Sequence, residues 1–173
     1  SSMSNLRYQL IDVFLAHAVA LERDAVEHLS EVAQMMAVHN NQPLYELFRE
    51  LAGYGVQHAK EIEVLAAEKD LPTFKPWEYE WLEDESPEVG DLTKLQYLMT
   101  PLQALKFALN CELNARAFYL DIANHAETEE IRMLAIEFAD EESEHVRLLE
   151  ERIDKIKEVG KDWEVDLDPP HLP

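Results

Sequence analysis

Five carboxylate and imidazole side chains in this sequence have types and spacings that suit a metal-binding site. Glu22 and Glu112 lie on the apolar stripes of two long helical segments, where an unpaired carboxylate is costly to bury. Glu142 and His145 project from one face of a third helical segment, because they are three residues apart. His58 occupies a comparable place on a fourth segment. Carboxylates and imidazoles together suit iron, manganese or zinc, so we predict a metal site of these five residues.

Each of these residues also has an ordinary explanation when it is taken alone. A Glu-x-x-His pair arises often by chance on an acidic helix, Glu22 alone would face solvent, and His58 alone would be a half-buried histidine with hydrogen-bond partners. Their joint spacing favours the metal site. Glu22 precedes His58 by 36 residues and Glu112 precedes His145 by 33 residues, as two antiparallel helix hairpins with short loops require.

Apolar residues recur at intervals of three and four in four long segments. Thr100 suits a helix N-cap, and Pro43 and Pro101 suit first helical turns. Gly160 is expected to end the last helix, and no segment has a strong strand pattern. We predict an all-α bundle whose helices span residues 5–39, 43–69, 100–126 and 128–159.

Residues 70–92 contain three prolines and a dense group of aromatic residues. A connection of this length in a compact domain is explained if it runs the length of the bundle and joins two parallel helices. We therefore predict two antiparallel hairpins joined by a long crossover. The expected domain covers residues 1–160, and residues 161–173 are expected to form an extended C-terminal tail.

The composition of the chain argues against several classes of function and of metal site. The chain has 173 residues, with 15 Lys and Arg against 36 Asp and Glu, which gives a formal net charge of −21. Such a field attracts cations and repels phosphate backbones, so we expect no nucleic-acid partner. The single cysteine, Cys111, excludes an internal disulfide and a multi-cysteine metal site. The apolar runs are too short to span a membrane, and we expect a cytoplasmic protein. The tryptophans of the crossover and tail suggest a homodimer.

The two halves of the sequence are weakly similar to each other. With a shift of 90 residues, the segment around Glu22 lies over the segment around Glu112, and with a shift of 87 residues His58 lies over His145. An acid and an imidazole thus recur in both halves. A pseudo-twofold arrangement of two hairpins would bring both sets to one level at the centre of the bundle.

These residues resemble the rubrerythrin-like branch of the ferritin-like superfamily over about residues 8–155. The resemblance is best from Ala108 to Leu149, with Glu112, Phe118-Tyr119 and the run from Ala139 to His145. The first half resembles the family from Phe14 to Glu22 and from Leu51 to His58. The resemblance implies a ferritin-like four-helix bundle in which a Glu, Glu-x-x-His, Glu, Glu-x-x-His set holds two irons that react with peroxide or dioxygen. It implies these metal ligands: Glu22, His58, Glu112, Glu142 and His145.

The sequence departs from the family pattern at Gly55, which stands where the first Glu-x-x-His has its glutamate. Rubrerythrins also have a further glutamate where this chain has Ala115, and a cysteine-rich rubredoxin-like module. Because of Gly55, a pair of metal ions would have one carboxylate ligand fewer than in the family pattern. A bridging hydroxide or a small exogenous carboxylate beside Gly55 could replace it. Alternatively, one ion binds, held mainly by Glu112, Glu142 and His145. We expect a more open second metal position.

The leading functional prediction is a non-haem, diiron-type oxidoreductase that acts on peroxide, dioxygen or Fe(II), with electrons from a separate protein. The expected cofactor is iron, as two ions or one, with zinc or manganese as alternatives. A second hypothesis is a metal-binding protein for sequestration or sensing without turnover. A third is a degenerate bundle that serves as an interaction scaffold, with a water-filled polar centre. Metal stoichiometry and peroxide-dependent turnover distinguish these three.

Overall fold

The computed structural model describes residues 10–69 and 99–166, with side chains up to residue 160. These residues form helices and short connections and contain no strand. The helices are α1 (Ile11–Val38), α2 (Gln42–Glu68), α3 (Pro101–His125) and α4 (Glu129–Asp166).

The first hairpin is set by a three-residue turn between α1 and α2. Asn40 has a left-handed φ of 58°, which asparagine tolerates better than most residues. The Asn41 side chain caps α2 by accepting a hydrogen bond from the backbone N–H of Leu44 at 3.2 Å. Pro43 lies in the first turn of α2, as predicted. So short a turn makes α1 and α2 antiparallel neighbours.

The second hairpin is defined by two threonine caps. Thr100 and Gln103 form a reciprocal capping box at the start of α3, and Pro101 begins the helix. Thr128 accepts a hydrogen bond from the backbone N–H of Ile131 at 3.3 Å. Glu129 and Glu130 then place negative charge in the first turn of α4, where the helix dipole favours it.

The helices pack in pairs, α1 along α2 and α3 along α4, and α1 also contacts α3. This arrangement confirms the predicted all-α, ferritin-like four-helix bundle. The interior holds two apolar clusters. One includes Phe14, Ile62, Tyr119 and Phe138, and the other includes Leu51, Met36, Leu105 and Leu149. On every helix, the residues of one cluster precede the predicted metal ligands and those of the other follow them. The ligands therefore form a polar layer between two apolar cores.

Two sequence predictions concern segments outside this core, the crossover and the end of the last helix. The predicted crossover at 70–92 lies outside the described residues. Helix α4 continues through Gly160 to Asp166, so residues 161–166 are helical rather than extended. A glycine inside a helix weakens it by about 1 kcal/mol relative to alanine, which is not enough to end a long helix. The division into a bundle and a tail stays a prediction. Among the described residues, none of the helices combines the length and the apolar character that a membrane span needs.

Two glycines in the middle of α2 have opposite surroundings. A Cβ atom on Gly53 would meet nothing within 4 Å. A Cβ atom on Gly55 would lie 2.7 Å from Cγ2 of Val26 on α1, closer than atoms pack. Gly55 therefore permits a close approach of α1 and α2. The expected space for an exogenous carboxylate beside Gly55 does not fit this contact, because Val26 already occupies the direction of the missing side chain.

This contrast predicts opposite effects of two matched substitutions. Gly53→Ala should raise the free energy of unfolding by about 0.5–1 kcal/mol, because alanine restricts the unfolded chain and meets no neighbour. Gly55→Ala should lower it, because the stiff, β-branched Val26 must move. Urea unfolding of both variants measures the difference. An equal stabilisation by both substitutions would contradict the close packing at Gly55.

Candidate metal centre

The polar layer contains all five residues that the sequence nominated. Each helix contributes at the same level: Glu22 from α1, His58 from α2, Glu112 from α3, and Glu142 with His145 from α4. Four of them are buried, each with at most 5% of its surface exposed. The side chain of His145 is 12% exposed.

The second half of the chain supplies a compact trio. Glu112, Glu142 and His145 each offer a donor atom within 4.8 Å of the others, an arrangement that could hold a metal ion. Nδ1 of His145 lies 3.4 Å from Oε2 of Glu112 and 3.6 Å from Oε2 of Glu142. The Glu-x-x-His spacing puts Glu142 and His145 one above the other on α4, and α3 brings Glu112 to them.

The first half supplies a comparable contact with an unexpected member. Nδ1 of His58 lies 3.0 Å from Oε1 of Glu22 and 2.9 Å from Oε2 of Glu141. The sequence interpretation selected Glu142 from the acidic run on α4 and missed Glu141. Two consecutive acids on a helix point about 100° apart, so the pair can reach two different neighbours. The two consecutive acids, Glu141 and Glu142, were therefore the sequence feature that could have indicated a second carboxylate contact from α4.

Burial and the charge of a neighbouring carboxylate raise the pKa of each carboxyl group of the trio. Burial is the largest cause that raises the pKa of Glu112 well above its ordinary value, and the neighbouring Glu142 raises it further. Burial also raises the pKa of Glu142, and the charge of Glu22 adds to this effect. The charge of Glu22, from the first hairpin, thus acts on Glu142 in the second hairpin.

Burial acts on the pKa values of the two histidines in the opposite direction, but the neighbouring carboxylates outweigh it. Burial alone lowers the pKa of His58, but the nearby carboxylates of Glu141 and Glu22 outweigh burial and raise the pKa to about 10. Burial likewise lowers the pKa of His145, while the contact with Glu112 and the nearby carboxylate of Glu142 raise it to about 11. The carboxylates thus attract positive charge strongly, which protons supply when no other cation is bound.

The donor set and its spacing fit a divalent ion. Ligand atoms bonded to one ion at about 2.1 Å and separated by 90–109° lie about 3.0–3.4 Å apart. The four contacts that the histidines make with carboxylates range from 2.9 to 3.6 Å. Buried Oε2 of Glu142 accepts no hydrogen bond, which leaves it available to a cation. The mixture of imidazole and carboxylate suits iron, manganese or zinc.

An open cleft of about 430 Å³ between α2 and α4 leads to this layer. Both site histidines line it, together with Glu141 and Tyr54. The Tyr54 ring stacks on the His145 ring with centroids 5.9 Å apart. The acids Glu50, Glu61 and Glu144 and the base Arg147 complete its polar rim. The cleft therefore connects the ligand side chains with solvent.

Aromatic side chains cover the layer on the side of the first apolar cluster. Phe138 packs edge-on to His58 at 4.8 Å between ring centroids and to Tyr119 at 5.5 Å. Tyr119 is fully buried, as expected for a core aromatic.

Burial, followed by the charge of Glu112, raises the pKa of Cys111 to about 12, so its thiol stays protonated at neutral pH.

The fold and the acid–imidazole layer together define a ferritin-like helical bundle. The Rubrerythrin family model matches residues 103–166, which include Glu112, Glu142 and His145. The crystal structure of an uncharacterized conserved protein from Magnetospirillum magnetotacticum MS-1 is similar, with 36% sequence identity and a TM-score of 0.69. The similarity covers 84% of this chain and 95% of that one. No curated protein matches the chain. The chain belongs to the rubrerythrin-like family.

The raised histidine pKa values predict a pH-dependent stability of the chelator-treated protein. The pKa values of His58 and His145 in the folded chain are higher than the ordinary histidine value of 6.5, so folding strengthens proton binding to both rings. The two protonated rings contribute fully to the free energy of unfolding below pH 6.5, and this contribution is lost as the pH rises toward the folded-state pKa values of about 10 and 11. The free energy of unfolding should therefore fall by at least about 1 kcal/mol between pH 7 and pH 9.

Urea unfolding at the two pH values tests this expectation. The double variant His58→Asn/His145→Asn should lose most of the pH dependence, whereas the exposed His39→Asn should keep it. Equal stability of the unsubstituted protein at both pH values would show that the carboxylates do not hold protons on these rings.

Proposed function

We propose that this chain binds iron in the polar layer and acts as a non-haem, diiron-type oxidoreductase on peroxide, dioxygen or Fe(II). The observation that carries the proposal is the convergence of Glu112, Glu142 and His145, whose donor atoms lie within 4.8 Å of one another in a buried layer. Membership of the rubrerythrin-like family supports iron as the metal. Zinc or manganese would fit the same donor types.

In this proposal Glu112, Glu142 and His145 hold one ion, and Glu22 and His58 contribute to a second position. Bound iron supplies one electron for each Fe(II), and the reduction of one peroxide to two waters takes two electrons and two protons. The protein's own contribution is a fixed set of ligands, since all five side chains come from helices whose packing is defined on both sides by apolar clusters.

The residues around the layer also restrict what reaches it. Among the described residues, the two apolar clusters flank the layer along the bundle axis, and the cleft between α2 and α4 is an opening that both site histidines line. Its acids favour cations and disfavour anionic substrates. Peroxide and dioxygen are uncharged and meet no such barrier. The cleft therefore suits small neutral oxidants and Fe(II).

The source of electrons is part of the proposal. The single cysteine of this chain cannot form the cysteine-rich centre that rubrerythrins use for electron delivery. We propose that a separate electron-donor protein reduces the site.

We also propose that the chain acts as a homodimer.

Metal binding is tested with one buried and one exposed acid on α4. The chelator-treated chain should bind Fe(II) anaerobically, and Glu142→Gln should weaken binding at least about tenfold, because it removes a buried negative ligand. Glu144→Gln is the matched control, since Glu144 is exposed and pairs with Arg147. Elemental analysis after gel filtration measures the bound iron. Equal iron in the unsubstituted chain and in Glu142→Gln would contradict the site.

Turnover is tested separately by adding peroxide to the reduced, iron-loaded chain. Consumption of peroxide in step with iron oxidation, and its loss in Glu142→Gln, is the expected result. Iron binding without any oxidation would favour sequestration or sensing. Failure to bind any metal would favour a degenerate scaffold.

A further inference from the structure

Each half of the polar layer has one histidine whose Nδ1 contacts two carboxylates. For His145 the partners are Glu112 on α3 and Glu142 on its own helix. For His58 the partners are Glu22 on α1 and Glu141 on α4. The two halves are therefore alike in the residue types they assemble, and they differ in which helix provides the second carboxylate. They also differ in spacing, because among the described residues only the donor atoms of Glu112, Glu142 and His145 all lie within 4.8 Å of one another.

The packing of α1 against α2 explains that difference. In α4 the second carboxylate stands three residues before the histidine. The equivalent position of α2 is Gly55, whose Cβ would lie 2.7 Å from Cγ2 of Val26. Any side chain at residue 55 would require Val26 or α1 to move. A carboxylate at residue 55 therefore does not fit while Val26 and α1 keep their present positions.

Helix α4 is placed to provide the missing group. Glu142 points into the layer and is buried, while Glu141, one residue earlier, is turned toward α2 and reaches His58 at 2.9 Å. The side chain of Glu141 is 37% exposed and lines the cleft. An ordinary surface acid would gain little from an exposed pair. Here the partner is the buried His58, whose Nδ1 also faces Oε1 of Glu22, a buried carboxylate oxygen that accepts no hydrogen bond.

We propose that Glu141, from α4, supplies to the metal position beside Glu22 and His58 the carboxylate ligand that Gly55 prevents α2 from supplying. This inference rests on the proposed metal-binding function. It brings the carboxylates of the layer to four, whose combined charge matches that of two divalent ions with two neutral histidines. No exogenous carboxylate is then needed to neutralise a pair of ions.

The position of Glu141 gives this second metal position a distinct character. The trio of Glu112, Glu142 and His145 is closed by buried carboxylates from α3 and α4. The trio of Glu22, His58 and Glu141 has its third member at the edge of the cleft. The ion held there is the one nearer to solvent, so we expect it to bind more weakly and to exchange first.

The test compares Glu141→Gln with Glu144→Gln in the full chain, each treated with chelator and titrated anaerobically with Fe(II). Elemental analysis counts the bound ions, and calorimetry measures the affinity of each. The unsubstituted chain and Glu144→Gln should bind two ions. Glu141→Gln should keep one ion at unchanged affinity and bind the other at least about tenfold more weakly. Circular dichroism confirms that both variants are folded.

The outcomes separate this inference from the proposed function. Two ions bound equally well by Glu141→Gln and the unsubstituted chain would overturn the role of Glu141 and leave metal binding intact. One ion in the unsubstituted chain would likewise overturn it, because no second position would then exist. Absence of any bound metal in the unsubstituted chain would overturn both proposals.

Discussion

The structure depends on the burial of several carboxylates at one level of an otherwise apolar bundle. An isolated buried carboxylate is strongly unfavourable unless a positive charge or hydrogen-bond donors compensate it. Glu22, Glu112 and Glu142 are each at most 2% exposed, and they lie close enough for their charges to interact. Two histidine rings provide part of the compensation. The remaining negative charge makes this layer a strong attractor of cations, and the two flanking apolar clusters keep its geometry fixed.

A second constraint is the close approach of α1 and α2 at Gly55 and Val26. This contact removes a carboxylate position from α2 and so breaks the exact repetition of the two hairpins. Because Glu141 and Glu142 are consecutive, α4 can serve both histidines at once. The layer thus remains symmetric in its chemistry although the chain is not symmetric in its ligand spacing. The open side of the layer follows from the same feature, since Glu141 reaches His58 from the cleft.

The sequence was sufficient to predict the helices and most of the layer, because both depend on local periodicity. Intervals of three and four put Glu22, Glu112 and Glu142 on apolar faces, and caps such as Thr100 mark helix starts. The consecutive acids Glu141 and Glu142 indicated that α4 could face two neighbours, but the contact of Glu141 with His58 depends on the distance between α2 and α4, which no pattern within one helix gives. The continuation of α4 past Gly160 was also missed, because the stability of a long helix outweighs one unfavourable residue.

Anomalous diffraction from crystals of the iron-loaded chain, recorded on both sides of the iron absorption edge, tests the central claim most directly. The account predicts one peak among Glu112, Glu142 and His145 and a second beside Glu22 and His58, with ligand distances of about 2.0–2.2 Å. Iron found only on the acidic surface, with the carboxylates of the layer bonded to protons or water, would contradict it.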